Sequence, residues 1–507
     1  MSRTRKAGIV ATFSYMQFGL AFISGIVLVP IILRQVGTQN YGLWLAWGEL
    51  LAYSAMVDFG VLGVLPWIIA EKDGQNDRQA IRSLITNGLA LASITGVIYI
   101  SVTLILWNFA SSIVKLSEAQ RETLLGPLLL VIAGIAVSFP LRTFYTALQG
   151  LQDVVFSGLM GVAQWGLNIC LILVLLFNGY GLYSLAASVV VPPLVLSILS
   201  FLRLKAIAPD LLTGWDRPSL SKMLRLTKEG LGTWMGGFGW RMTAATNSAI
   251  IVSVSSPERV VVYACSAKMG EILMQMAWQL SDSGLVGLAQ LSGEGKQERV
   301  REVVVAMLRL LLIAAGGVAY AVLAFNPSFV GLWVGADKFG GFTLNILLSA
   351  AFIGLSLTHG LFVPAAVLGN RFQVGLVTLI QGIFHLVAAV ALGHVFGLPG
   401  VALASIFGSF VLAFPLGARI LRRCTRLTSG DLWGGALVPW FLRVVPILVL
   451  GAAVGMWIPQ TSISLPVLLA PLMGFLYIWY MRPLYSGLPL PTSVKPWLMR
   501  MRLLPHA

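Results

Sequence analysis

The residues that could do chemistry are few and unevenly placed. Lys268, Glu271, Gln275, Gln279 and Asp282 follow one another at spacings of 3, 4, 4 and 3 residues in an otherwise apolar run. On a helix turning about 100° per residue they fall within an arc of about 80°. Such a stripe suits the wall of a hydrated cavity. Carboxylates there can hold a proton or Na+, and amides can hydrogen-bond hydroxyl groups. Internal pairing is the competing explanation, because Lys268 and Glu271 stand one turn apart and can neutralise each other; it leaves the other residues unexplained. Two arginines also sit inside apolar runs, Arg142 after Pro140 and Arg241 in the run 229–254. Arginine stays charged and its planar fork matches phosphate oxygens. Arg142, Arg241 and Lys268 are therefore candidates for an anionic head group, against the alternative that each pairs with Glu49, Asp58, Glu271 or Asp282. Glu49 and Asp58 are nine residues apart. On a straight helix they point to opposite sides, one toward a cavity and the other toward a neighbouring helix.

Other chemistries are excluded. The four histidines form no HExxH, the three cysteines (Cys170, Cys265, Cys424) no CxxC, and no GxxxxGK[ST] occurs. The sequence thus offers no metal site, disulfide framework or ATP-binding loop of its own, and no cofactor is expected. Asp58-Phe59-Gly60 coincides with the kinase magnesium tripeptide, but it stands alone in an apolar run and that reading is discarded. His359 and His385 could titrate near neutrality, although a lone histidine in a bundle is ordinarily a satisfied packing residue. Arg309 and Arg443 lie within about two turns of an expected membrane face and should snorkel outward.

The elements that carry these residues follow from composition. Of 507 residues, 57% are hydrophobic and only 10% charged, against about 25% charged in soluble proteins. The class is an all-α polytopic membrane protein with about fourteen spans of about 20 residues each. The 42–70, 229–254 and 261–289 runs are the second, seventh and eighth. Alternation of the β-barrel kind is absent. The net charge of +15 looks like a nucleic-acid footprint until the charges are placed. About 24 of the 34 basic residues fall in segments on one side of the membrane and about five in the opposite loops. That bias sets orientation, puts both termini in the cytoplasm and requires no nucleic acid.

The chain also matches itself at a shift near 220. Tyr41…Gly48-Glu49-Leu50 matches Tyr263…Gly270-Glu271-Ile272, and Asp58-Phe59-Gly60-x-x-Gly63 matches Asp282-Ser283-Gly284-x-x-Gly287. Gly150 matches Gly369, Gln164…Asn168 matches Gln381…His385, and Gly181-Leu182…Ala186 matches Gly397-Leu398…Ala402. The expected organisation is a six-helix bundle at 1–202, a basic cytoplasmic connector at 203–228 lying on anionic lipid, a second six-helix bundle at 229–421, and two further helices with a basic tail at 422–507. Because six is even, the bundles are parallel repeats about an axis along the membrane normal. Transporters built from two such halves bind substrate between them.

The segment from Pro30-Ile31-Ile32-Leu33-Arg34-Gln35-Val36-Gly37-Thr38-Gln39-Asn40-Tyr41-Gly42-Leu43-Trp44 to Tyr53…Asp58-Phe59-Gly60-Val61 resembles the opening of the polysaccharide flippases (O-antigen and exopolysaccharide type) of the multidrug/oligosaccharidyl-lipid/polysaccharide exporter superfamily. The resemblance implies translocation of a polyprenyl-diphosphate-linked oligosaccharide from the inner to the outer leaflet of a bacterial plasma membrane, by alternating access. It also implies H+ or Na+ as coupling ion, and polysaccharide polymerase and assembly proteins as partners. A drug/cation antiporter of the same fold and a membrane-embedded glycan polymerase or ligase are the alternatives. The polymerase fits less well because the outside loops are short.

Overall fold

A computed structural model of the chain describes residues 3–113, 117–215, 217–282, 294–459 and 463–486, with positions 285, 288, 291 and 292. Ser283, Gly284 and Gly287 of the second repeat motif, and the basic tail beyond 486, lie outside these. Among the described residues there is no strand. Apolar runs in lipid must satisfy their own backbone polar groups, and the helix does so within one segment.

The helices are α1 (Arg3–Val36), α2 (Thr38–Ser54), α3 (Val61–Gly74), α4 (Arg78–Ile113), α5 (Glu118–Gly150), α6 (Val154–Phe177), α7 (Leu182–Ile207), α8 (Leu220–Ala244), α9 (Asn247–Val254), α10 (Pro257–Asp282), α11 (Gln297–Trp333), α12 (Gly341–Val367), α13 (Arg371–Phe396), α14 (Leu398–Thr425), α15 (Ser429–Trp457) and α16 (Ser464–Tyr485). Eleven described helices are long and apolar enough to span a membrane, and the bent pair α2–α3 makes a twelfth. The protein is a multi-pass membrane protein. Of the about fourteen expected spans, these twelve meet that measure, and the seventh and eighth runs, though helical, do not. There α8 and α10 carry the charges, amides and glycines singled out above, and this polarity keeps them below the apolar level of a spanning helix.

The chain divides into two compact units, Met1–Phe238 and Gly239–Ala507. In unit 1, α5 packs against α3, α4 and α7, α1 lies on α6, and α6 lies on α7. Leu65, Ile69, Ile85, Leu148 and Leu204 fill its core. In unit 2, α12 packs against α10, α11 and α14, α9 lies on α13, and α13 lies on α14. The two neighbour lists are the same list, helix for helix, so the repeat seen in the sequence is a repeat of packing. Helices α15 and α16 add to unit 2 against α11.

Two repeat matches acquire a physical reason. Gly181 (φ 51°, ψ −126°) and Gly397 (φ 62°, ψ −139°) precede α7 and α14 in the same positive-φ conformation, which a side chain disfavours. Asn168 Nδ2 donates to the Ser188 carbonyl at 2.9 Å, and its partner in the repeat, His385, lies 3.5 Å from Ser405 Oγ. Each bond ties the fifth helix of a unit to the sixth. Two spans contain a π turn, Gly408–Ala413 in α14 and Trp433–Leu437 in α15. The Gly435 carbonyl of the second accepts from Arg309 Nε. Arg309 thus reaches a backbone oxygen near the start of α15, beside the charged residues at the start of α11.

Candidate functional site

In unit 1 the site is built around a break. After α2 the chain makes one 3-10 turn, Ala55–Asp58, then passes through Phe59 (φ 49°) and Gly60 (φ 74°) before α3 begins. Asp58 Oδ1 accepts from the Gly60 N–H at 3.1 Å, a local bond that competes with helix continuation. The span bends by 41° here. The straight-helix register that set Glu49 opposite Asp58 therefore does not hold; Glu49 stays on α2, half-buried, and Asp58 sits in the turn. Helix α8 seals the break. A Cβ on Gly60 would meet the Gly230 carbonyl at 2.8 Å, and one on Gly230 would meet the Phe59 carbonyl at 2.6 Å, so two backbones touch. Trp234 Nε1 donates to the Met56 carbonyl at 2.7 Å, which also accepts from the Phe59 N–H at 3.3 Å, so the turn is tied to α8 as well as closed on itself. Phe59, Trp234 and Phe238 form a continuous aromatic row with centroids 5.4 and 5.0 Å apart. Arg142 projects from α5 to the exposed surface of unit 1, within electrostatic reach of Asp58.

In unit 2 the seventh run is also broken. Helix α8 ends at Ala244 and α9 begins at Asn247, so Arg241 occupies a last helical turn rather than the middle of a continuous span. A cation is favoured there by the helix dipole. Its carbonyl accepts from Ala245 N–H at 2.8 Å and from Thr246 Oγ1 at 3.3 Å. Asn247 Oδ1 lies 3.1 Å from Nε2 of the fully buried His385, fastening α9 to α13.

Helix α10 is locked along one edge. Asn326 Nδ2 donates to the Ser266 carbonyl at 2.7 Å and to Asn345 Oδ1 at 2.8 Å, both asparagines being fully buried. Gly270 lies so close to the Phe352 ring that a Cβ would overlap it. The polar stripe is on the opposite edge. Lys268 Nζ and Glu271 Oε2 are 3.4 Å apart, both half-exposed. Gln275 and Gln279 are exposed and project away from the unit's packing. Asp282 Oδ1 is 2.9 Å from His359 Nε2 on α12. The His359 ring stacks on Trp278 at 4.3 Å with the planes 4° apart, and Trp278 meets Trp240 edge-on at 5.1 Å. Trp278 Nε1 donates to Ser356 Oγ at 3.1 Å, fixing the stack.

The two units thus carry related couples, Asp58 with Arg142 and Asp282 with His359. Each joins the second helix of a repeat to the fourth, at positions about 217–224 residues apart in the chain. The sequence reading named three of these four as site residues and treated His359 as a packing residue. It also passed over Phe59, Trp234, Trp240 and Trp278. The available signal was the run Trp234-Met-Gly-Gly-Phe238-Gly-Trp240, where large rings alternate with glycine. No cluster of three or more potential metal ligands occurs among the described residues.

No protein-family model matches the sequence, and no curated protein matches it. Solved structures do match. An inward-facing multidrug resistance MATE family transporter of the MOP superfamily aligns with a TM-score of 0.62 at 17% identity, over 82% of this chain and 96% of that one. A multidrug resistance MATE family transporter of the MOP superfamily in an outward-facing conformation aligns at 0.57 and 16%, over 83% of this chain and 97% of that one. The lipid II flippase MurJ in an inward closed conformation aligns at 0.64 and 12%, over 94% of this chain and 98% of that one. At these identities the likeness is one of fold, and the chain shares its fold with these solved structures.

Proposed function

We propose that this protein translocates a polyprenyl-diphosphate-linked oligosaccharide from the inner to the outer leaflet of a bacterial inner membrane, by alternating access, for lipopolysaccharide or exopolysaccharide assembly. The observation that carries this reading is the free face of α10 with its aromatic neighbours. Along about three turns of this helix Lys268, Gln275 and Gln279 place a cation, paired with Glu271, and two exposed amides, and Trp278 with Trp240 adds two touching indoles. Indoles cover the apolar faces of pyranose rings, amides replace the water on their hydroxyls, and cations offset phosphate charge. Polar groups at membrane depth are costly and mark a substrate path by default. Arg142 in unit 1 and Arg241 in unit 2 are assigned, each within its own unit, as further cations for phosphate oxygens. The polyprenyl tail needs no protein groups because it stays in hydrocarbon. No bond is broken, so no catalytic residue is required.

The carboxylates Glu49, Asp58, Glu271 and Asp282 serve as coupling sites for H+ or Na+, whose binding biases the two access states. The connector 203–228 and both termini face the cytoplasm, and polymerase and assembly proteins take the product outside. The wider alignment to the lipid II flippase than to the multidrug transporters supports a lipid-linked substrate. A cation/drug antiporter is the second reading, favoured by the acidic residue at the bend of α2–α3.

Proteoliposomes test the choice. A fluorescent oligosaccharide-diphospho-polyprenol placed in one leaflet should become accessible to an impermeant quencher on the other side only when the protein is present. Equal quenching in empty liposomes, together with H+- or Na+-driven export of organic cations, would replace the first reading by the second.

A further inference from the structure

At one end of unit 1 the last turn of α3, the first turns of α4 and the first two turns of α8 border an open cavity of about 310 Å3. Lys72, Lys222 and Arg225 line it against a single carboxylate, Asp77, with Ser83 and Asn87 beside them. Asp77 is already committed, since its Oδ1 accepts from the Ala80 N–H at 2.9 Å and caps α4. Lys222 Nζ donates to a neutral hydroxyl, Ser83 Oγ, at 2.8 Å. Among the described residues no carboxylate lies within ion-pair distance of it. Lys72 is held by Gln75 Oε1 at 2.9 Å, with Glu71 only at 3.8 Å. Arg225 approaches Glu229 at 3.9 Å with 73% of its side chain in solvent. The cations stand on a rigid frame, because the buried Asn87 accepts from the Ser219 N–H at 2.8 Å and pins the start of α8 to α4.

Unit 2 supplies an internal control. At the corresponding place in the repeat, the starts of α11 and α15 border a cavity of about 920 Å3. Arg299, Arg301 and Arg309 face Glu298, Glu302 and Asp431 there, three charges of each sign. Every arginine is engaged: Arg301 with Asp431 at 2.7 Å, Arg299 with Glu302 at 2.8 Å, and Arg309 with the Gly435 carbonyl. The same corner of the fold is electrically closed in one unit and left cationic in the other.

We propose that the unit 1 cavity binds the phosphate of a membrane lipid head group. The Asn87 amide is spent on the Ser83 carbonyl at 2.7 Å, and the ammonium, guanidinium and hydroxyl groups that remain beside one small space are donors of the kind a phosphate takes. Basic pockets at the cytoplasmic ends of spans are where anionic head groups lie. The volume is at the small end of ligand cavities, about 300 Å3, enough for a phosphate and its glycerol but not for an oligosaccharide. The phosphate comes from bulk anionic phospholipid or from a diphosphate-linked lipid, and both present the same oxygens. The site stands independently of the translocation reading.

Native mass spectrometry of the purified full chain in neutral detergent, titrated with phosphatidylglycerol or phosphatidylcholine, tests it. Phosphatidylglycerol should bind about tenfold more tightly, and K222Q/R225Q should remove that preference. R225Q alone, at a largely exposed side chain, should weaken binding about threefold, K222R should retain it, and R299Q in the unit 2 cavity should leave it unchanged. Displacement by inorganic pyrophosphate well below the orthophosphate concentration identifies the diphosphate-linked lipid as the source. Equal displacement identifies bulk phospholipid. Both results uphold the phosphate site. Equal binding of the two lipids, wild-type binding by K222Q/R225Q and R225Q, or a loss in R299Q as large as in K222Q/R225Q overturns it.

Discussion

The contact between Gly60 and Gly230 gives a prediction whose parts can be separated. Gly60→Ala carries two costs. A left-handed φ of 74° is worth about 1–2 kcal/mol against a residue with a Cβ. The new methyl also meets a backbone carbonyl at 2.8 Å and the Trp234 backbone N at 3.3 Å. Neither can swing away as a side-chain tip would, so an overpacking cost of about 1–3 kcal/mol follows. Gly37→Ala isolates the first cost, because Gly37 has φ 85° with no neighbour within 4 Å of its Cβ position. Gly230→Ala isolates the second, because Gly230 lies within α8 but its Cβ would meet the Phe59 carbonyl at 2.6 Å. Alanine gains about 0.5–1 kcal/mol in a helix interior, so a net loss at Gly230 must come from the contact. For a unit of this size 1 kcal/mol moves the unfolding midpoint by about 2–4 °C. The G60A midpoint should therefore fall below that of G37A by about 2–12 °C, read from intrinsic fluorescence of the purified protein during heating. Equal midpoints for G60A and G37A, or a G230A variant more stable than wild type, would refute the argument that the break is held by touching backbones.

Further outcomes follow from single contacts. A double-mutant cycle on D282N and H359Q should give a coupling of about 1–2 kcal/mol, since the pair is only partly desolvated, and each single variant should slow translocation. H385A should destabilise by about 2–4 kcal/mol in thermal unfolding, leaving Asn247 without its buried partner. R142Q removes an exposed side chain, so stability should stay within about 0.5 kcal/mol while translocation slows about tenfold or more; wild-type transport by R142Q would remove Arg142 from the substrate path. W278F keeps the ring against His359 but loses the bond to Ser356, at about 1 kcal/mol, and a wild-type midpoint would show that bond to be idle.

The legible part of the fold was whatever a window of hydropathy or a chain match can register. The long apolar runs, the helical class and the repeat of neighbours all follow from residues near one another in sequence or from copies of them. Gly181 and Gly397 were visible as a match, and their shared backbone conformation explains why the residue recurs. The break at Asp58-Phe59-Gly60 was not legible as a break. An apolar average over 42–70 passes through it, and its closure depends on Trp234, 178 residues from Met56. The partner of Asp282 was hidden for the same reason, His359 being 77 residues away on another helix. The spacing of the polar stripe is legible as one helical face because helical periodicity is local. Its division into the Lys268–Glu271 pair, two exposed amides and a histidine-bound aspartate depends on packing that periodicity does not contain.

The π turn in α15 has a bearing on how this chain tolerates insertions and deletions. A π turn stores one surplus residue without rotating the helix that follows. Removing Gly434 would let the segment close into an ordinary helix, while Gly451 and Gly455 would still meet Tyr320 and Leu323 across a close backbone approach. What would vanish is the docking oxygen that Gly435 offers to Arg309. A one-residue length change in this helix is therefore a change of electrostatics, not of shape.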